Sequence, residues 1–187
     1  MSNPLAVLRV FALVLLVFAL TMLLPAAVAW IGRDPAVAVF LAGFAATTAA
    51  AALLWLLTRR HTDEMRVRDG FLLVSLVWVI VPAFAAIPLL LYLPAMSFTD
   101  AYFETVSGLT TTGASVIEGL DTLPFSINLW RAFLVFLGGM GLIVLAVAIL
   151  PLLGVGGRQL FSAESPGPIK ETRLTPRMAQ TAKGLWL

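Results

Sequence analysis

The chain has 187 residues, 60% of them hydrophobic and 12% charged, and its mean hydropathy is +1.00. A soluble domain is about 45–50% apolar and about 25% charged, so this much apolar surface has no place in one water-soluble core, and the chain reads as an integral membrane protein. The lack of cysteine excludes disulfides and thiolate chemistry, the single histidine, His61, excludes a two-histidine metal site in one chain, and the net charge of +2 says less than where the charges lie.

A spanning helix takes about 20 mostly apolar residues. The first uncharged stretch lies between Arg9 and Arg33, and Val10–Ile31 is long enough to span. Arg9, the apolar run and Ala27-Val28-Ala29 also resemble a secretory signal with a small-residue cleavage site. The run is long and a second span follows at once, which favours an uncleaved helical hairpin. Gly32-Arg33-Asp34-Pro35 is a tight polar break, and Ala36–Thr58 is the second span. In the polar loop Arg59–Asp69, Arg59, Arg60, Arg66 and Arg68 stand against Asp63, Glu64 and Asp69. A third uncharged run, Gly70–Thr99, carries Pro82, Pro88 and Pro94, and neighbouring helices can satisfy the backbone that such prolines break. The fourth span is Ala132–Gly157, ended by Pro151 with Gly154, Gly156 and Gly157. Within it, Gly138, Gly139 and Gly141 permit close helix contact, or a gate.

Lysine and arginine bias sets orientation. Between Asp69 and Arg131 there is neither, while that stretch holds Asp100, Glu104, Glu118 and Asp121. The loop 59–69 and the tail, with Arg158, Lys170, Arg173, Arg177 and Lys183, are the basic regions. Both are expected in the cytoplasm, the acidic stretch outside, and the N-terminus inside. The basic tail suits anionic lipid.

Between the third and fourth spans, Thr99–Leu109 has a helical stripe of Ala101, Tyr102, Val106 and Leu109. Thr99 is the expected N-cap, with Asp100 in the first turn. At 1.5 Å per residue the segment reaches about 16 Å, too short to span, as for a re-entrant helix that stops at mid-membrane. Thr110-Thr111-Thr112-Gly113-Ala114-Ser115 follows directly. Non-helical backbone at membrane depth is tolerated only inside protein or against water, and such backbone can aim carbonyls at a cation. The negative end of the short helix would point at the same place, with Glu118 and Asp121 above it. Alone, the threonine run reads as an external turn whose hydroxyls satisfy local backbone. The order span, half-length helix, Thr-Thr-Gly, acidic linker and span reads instead as one pore-loop repeat. Glu104 reads as a buried polar partner, Arg131 as a snorkelling residue at the outer end of the fourth span, and Trp30, Trp55, Trp130 and Trp186 as interface anchors.

Residues 103–115, from Phe103-Glu104-Thr105-Val106-Ser107-Gly108 to Thr110-Thr111-Thr112-Gly113-Ala114-Ser115, resemble the first pore loop of Trk/Ktr-type potassium uptake proteins. So do Leu137-Gly138-Gly139-Met140-Gly141 through Gly157, and Ala163–Pro168 with Thr175-Pro176-Arg177 to Trp186. The first two spans match only in hydropathy, as the N-terminal helix pair of the Trk branch. The resemblance implies an all-α integral membrane fold: a helical hairpin and cytoplasmic loop (1–69), one helix–pore loop–helix repeat of a potassium-channel-like fold (70–157), and a cytoplasmic linker (158–187).

It further implies a pore-forming uptake subunit of a bacterial inner membrane, a symporter coupled to protons or sodium. Potassium would pass Thr110, Thr111, Thr112, Gly113 and Ala114, with Gly113 as the filter glycine and the carbonyls of Thr111 and Thr112 on the path. A cytosolic nucleotide-binding regulatory ring is implied as a partner, although the chain has no phosphate loop or dinucleotide fingerprint of its own. No organic cofactor and no nucleic acid are expected. The family joins four repeats around one pore, and only one is present, so the chain is expected to be a fragment. One copy supplies about a quarter of an ion cage. Assembly of four copies into a homotetrameric channel would require self-complementary faces that unlike repeats need not have. The chain alone is therefore expected to insert without conducting selectively. The contrasting reading is a non-conducting assembly module held by glycine-rich faces; an enzyme is disfavoured, since no nucleophile–base pair is evident.

The orientation is testable on single cysteines. An impermeant thiol reagent applied to intact cells is expected to label position 121 and not position 63; the opposite pattern reverses the topology.

Overall fold

The computed structural model describes residues 4–60 and 67–152, with side chains at 4–60 and 69–141. His61, Asp63, Glu64 and Arg66, the side chain of Arg68, and the tail with Gly154, Gly156, Gly157, Arg158, Lys170, Arg173, Arg177, Lys183 and Trp186 lie outside the described residues. Residues Met1–Phe136 form one compact unit; of the second, Leu137–Leu187, only helical residues as far as Leu152 are described.

All regular structure among the described residues is helical: α1 (Pro4–Thr21), α2 (Leu23–Ile31), α3 (Val37–Thr58), α4 (Val67–Ala85), α5 (Ile87–Tyr92), α6 (Phe98–Leu109), a 3-10 turn (Leu120–Thr122) and α7 (Phe125–Leu152). Three stretches among them are long and apolar enough to cross a membrane: Pro4–Ile31, Val37–Thr58 and Asp69–Tyr92. The fourth expected span lies in α7, which begins at Phe125, seven residues before Ala132. The charge of Arg131 marked a boundary in the sequence. In the fold that charge is paired, so the helix runs through it.

Prolines explain where the helices break. Pro25 lacks an N–H and its ring opposes the carbonyl of Thr21, so α1 stops there and α2 restarts at Leu23. Pro88 divides the third span into α4 and α5, and Pro82 lies inside α4. Leu93, driven out of the helical region before Pro94 to φ −113°, ψ 80°, ends α5.

The hairpin closes through α1 and α2 against α3 and packs on the third span through α1 against α4 and α3 against α5, while α6 packs on α4 and α5. At Gly43 a Cβ would lie 3.0 Å from Pro88 and 3.3 Å from the Met22 sulfur, so glycine is what lets three helical segments meet there. Trp130 is fully buried among Phe18, Phe40 and Phe133, with ring centroids 5.9, 6.1 and 6.4 Å away. It is therefore a core residue and not the interface anchor expected of it. Its Nε1 donates to the Ala85 carbonyl at 3.1 Å, beside the Pro88 break, which gives the indole an interior partner. Trp30 and Trp55 are exposed, as anchors would be.

The polar break after α2 does more than turn the chain. Arg33 takes a left-handed conformation, φ 54°, and Arg33 N and Asp34 N donate to the carbonyls of Trp30 and Ala29. Asp34 then accepts from Ala36 N at the head of α3 through Oδ1, and from Ser126 N and Oγ at the head of α7 through Oδ2. One carboxylate thus meets the positive ends of two helices and ties the hairpin turn to the start of α7. Replacing Asp34 by Ala is expected to remove both caps and destabilise the fold by about 1–2 kcal/mol. Thermal unfolding in lipid or detergent checks this, with exposed Asp121→Ala as the near-neutral control.

Candidate functional site: the loop after the half-length helix

The site is built on α6. Its N-cap is Ser97, two residues before the Thr99 expected from the sequence. Ser97 Oγ accepts from Asp100 N at 3.1 Å and donates to the Asp100 carboxylate at 2.7 Å. Serine and aspartate three apart allow both bonds, which Thr99, three before Tyr102, cannot form. α6 runs in the same direction as α7: Glu104 meets Arg131, and Gly108 approaches Leu134, to which a Cβ would lie 3.1 Å. From Phe125 to Leu134 is about 13 Å of helix, so α6 ends beside α7 about that far past the head of that helix.

Two faces hold α6 in place. On the α4 side, Tyr102 Oη donates to the Val79 carbonyl at 2.9 Å, and Thr105 Oγ1 to that of Pro82 at 2.8 Å. With Trp130 on Ala85, side-chain donors meet α4 carbonyls at three-residue steps along the proline-interrupted stretch. On the other side stands Glu104, a buried polar partner as read from the sequence, its side chain 3% exposed. Arg131 Nε donates to its Oε1 at 2.7 Å, and the Arg131 side chain is 21% exposed. Arg131 does not snorkel, then: a carboxylate within reach holds it in the protein.

α6 ends in a Schellman turn. Thr111 N donates to the Gly108 carbonyl and Thr112 N to that of Ser107, with Thr111 left-handed at φ 58° where glycine is usual. A β-branched residue in this conformation is strained by roughly 1–2 kcal/mol. Strain of this kind concentrates at functional sites. Gly113 follows, also left-handed at φ 74°, and its N donates to the Ser107 carbonyl at 3.3 Å.

The consequence is geometric. In a trans peptide the C=O of one residue points opposite to the N–H of the next. The N–H groups of Thr111, Thr112 and Gly113 all turn back into the end of α6, so the carbonyls of Thr110, Thr111 and Thr112 point away from it. These residues are exposed, and no described hydrogen bond reaches those carbonyls. The Thr110 hydroxyl, 2.8 Å from the Val106 carbonyl, lies 2.8 Å from that of Thr112.

Ala114, grouped with the ion path in the sequence, differs from these three. Its carbonyl accepts from Ser107 Oγ at 2.6 Å and so faces the helix. The return limb then runs antiparallel to α6, with Ser115 Oγ and Val116 N both donating to Glu104 Oε2 at 3.1 Å. Glu118 and Asp121 are exposed beyond it. Gly138, Gly139 and Gly141 lie within α7, and a Cβ on Gly141 would meet nothing within 4 Å. Sequence reasoning missed Ser107, whose carbonyl and hydroxyl together hold residues 112–114, and Asn128, whose Nδ2 donates to the Leu120 carbonyl at 2.8 Å.

A half-length helix, a loop returning along it and a full helix, in that order, make one pore-loop repeat of a membrane protein. The chain belongs to the TrkH cation transport protein family, whose model matches residues 36–187. It is 50% identical over 182 residues to the Trk system potassium uptake protein TrkH of Vibrio parahaemolyticus, covering 97% of this chain and 38% of that protein. It is 47% identical over 183 residues to TrkH of Escherichia coli K12, with the same coverage. The crystal structure of the potassium transporter TrkH from Vibrio parahaemolyticus superposes with a TM-score of 0.80 at 44% identity, over 98% of this chain and 36% of that one. The chain thus spans about 38% of the length of the curated relatives it matches. Those relatives are potassium transporters and not enzymes.

Ser107→Ala is expected to release the Ala114 carbonyl, destabilising the fold by about 1 kcal/mol and speeding amide hydrogen exchange in residues 112–116. Exchange measured by mass spectrometry on the lipid-embedded chain checks this.

Proposed function

We propose that this chain supplies the N-terminal helix pair and first pore repeat of a bacterial potassium uptake subunit. The observation that carries the reading is the orientation of the loop: its donors are used on α6, which leaves the Thr110, Thr111 and Thr112 carbonyls to replace water around a cation. Gly113 sets the turn that makes this possible, and Ala114 anchors the loop. The names of the relatives supply the ion, potassium. The rest of the cage would come from the length that the relatives have beyond this match. The membrane would be the inner membrane, with the N-terminus and the loop 59–69 in the cytoplasm. Support for this orientation comes from the Lys/Arg bias, and from the Asp34–Ser126 bond that sets the hairpin turn beside the head of α7. Gly138, Gly139 and Gly141 then line the inner half of the path or the contact with a neighbouring repeat.

The test is a chimera: this chain replaces the matching segment of the Vibrio parahaemolyticus TrkH, expressed in a bacterium that lacks potassium uptake. Growth on low potassium, with uptake of potassium favoured over sodium, is expected. Gly113→Ser in that chimera should lower potassium-over-sodium discrimination about tenfold, equivalent to about 1.4 kcal/mol. The reason is backbone conformation and not crowding, since φ is 74° and a Cβ would meet nothing within 4 Å. Unchanged discrimination at normal expression overturns the filter role of Gly113.

A further inference from the structure

Glu104 divides its carboxylate between two tasks. Oε1 takes the guanidinium of Arg131, while Oε2 takes Ser115 Oγ and Val116 N from the return limb. Arg131 Nη1 reaches Asn128 Oδ1 at 3.5 Å, and Asn128 Nδ2 donates to the Leu120 carbonyl. A continuous polar chain therefore runs from Val116 through Glu104, Arg131 and Asn128 to Leu120, gripping the return limb at both ends. Between the grips no regular structure holds the limb until the 3-10 turn at Leu120.

Each member of this chain has a chemical reason for its place. Two donors on one small stretch of limb call for an acceptor with more than one free lone pair, which a carboxylate has. A carboxylate at this depth needs a cation, and Arg131 is the one it meets. An ion pair that served only to join α6 to α7 would not need the limb donors.

We propose that Glu104 is a positioning residue for ion selection. It acts through the return limb, which fixes where the exposed carbonyls of Thr110–Thr112 stand, and Arg131 is the counter-charge that makes this possible. The proposal rests on reading those carbonyls as the ion path.

The test separates a limb-holding role from a merely joining one. Exchanging the charges, Glu104→Arg with Arg131→Glu, restores an ion pair between α6 and α7. It cannot hold the limb, because arginine has no acceptor for Ser115 or Val116. Glu104→Gln keeps an acceptor and loses the charge; Glu104→Ala loses both. In the full chain embedded in lipid nanodiscs, amide hydrogen exchange at Val116 should quicken at least tenfold in Glu104→Ala and in the exchanged pair, and less in Glu104→Gln. The exchanged pair should keep a melting temperature above that of Glu104→Ala. In the TrkH chimera, the exchanged pair should express yet lose about tenfold in potassium-over-sodium discrimination. Exchange at Val116 unchanged in Glu104→Ala, or full discrimination in the exchanged pair, overturns the proposal. A chimera carrying the unsubstituted segment that fails to select potassium overturns the reading of the ion path instead, and leaves the exchange result to decide what Glu104 holds.

Discussion

A backbone carbonyl or amide left without a partner at membrane depth costs several kcal/mol, and this constraint organises the chain. Proline interrupts the helices at Pro25 and Pro88, and Pro82 lies inside α4. Along the α4–α5 interruption, Tyr102, Thr105 and Trp130 bring donors to the carbonyls of Val79, Pro82 and Ala85. The same bonds decide where α6 and α7 sit. They register the half-length helix and the head of α7 on the proline-containing stretch. Glycine supplies the closeness this needs: Gly43 lets Met22 and Pro88 approach α3, and Gly108 lets Leu134 approach α6.

Against that pattern, Thr110–Thr112 stand out. Their amides are satisfied by the end of α6, yet no described hydrogen bond reaches their carbonyls. Two left-handed residues in three, one of them a strained threonine, hold this arrangement. Three carbonyls on one side of the loop thus face away from the helix that takes up their neighbouring amides. On the reading proposed above, a cation is what they would coordinate.

Much of this was legible in the sequence because apolar runs and proline positions are local signals. The hairpin, the proline-interrupted third span, the half-length helix and the loop all read from uncharged length and from the Thr-Thr-Thr-Gly run. What escaped depended on long-range pairing. Arg131 and Trp130 carry amphipathic side chains that mark interfaces when unpartnered. Glu104, 27 residues away in sequence, and Ala85, 45 away, give them partners in the interior. Asp34 read as part of a turn, and nothing local to it names Ser126, 92 residues on. The Ser97 cap, by contrast, was available: Ser-Phe-Thr-Asp places an N-cap hydroxyl three residues before an acidic residue, and the choice of Thr99 overlooked it.

Paired charge inside a membrane helix also changes how a span is delimited. Counting uncharged residues put the head of the last span at Ala132, because a lone arginine is expensive there. With Glu104 beside it, Arg131 becomes part of the helix, and α7 gains most of two turns toward Asp34. Those two turns carry Ser126, Asn128, Trp130 and Arg131. They bind, respectively, the hairpin turn, the far end of the return limb, the broken outer helix and the half-length helix. The stretch that hydropathy alone discards as linker is therefore where the elements around the loop are joined, and a charge pair is what allows it to be helix at all.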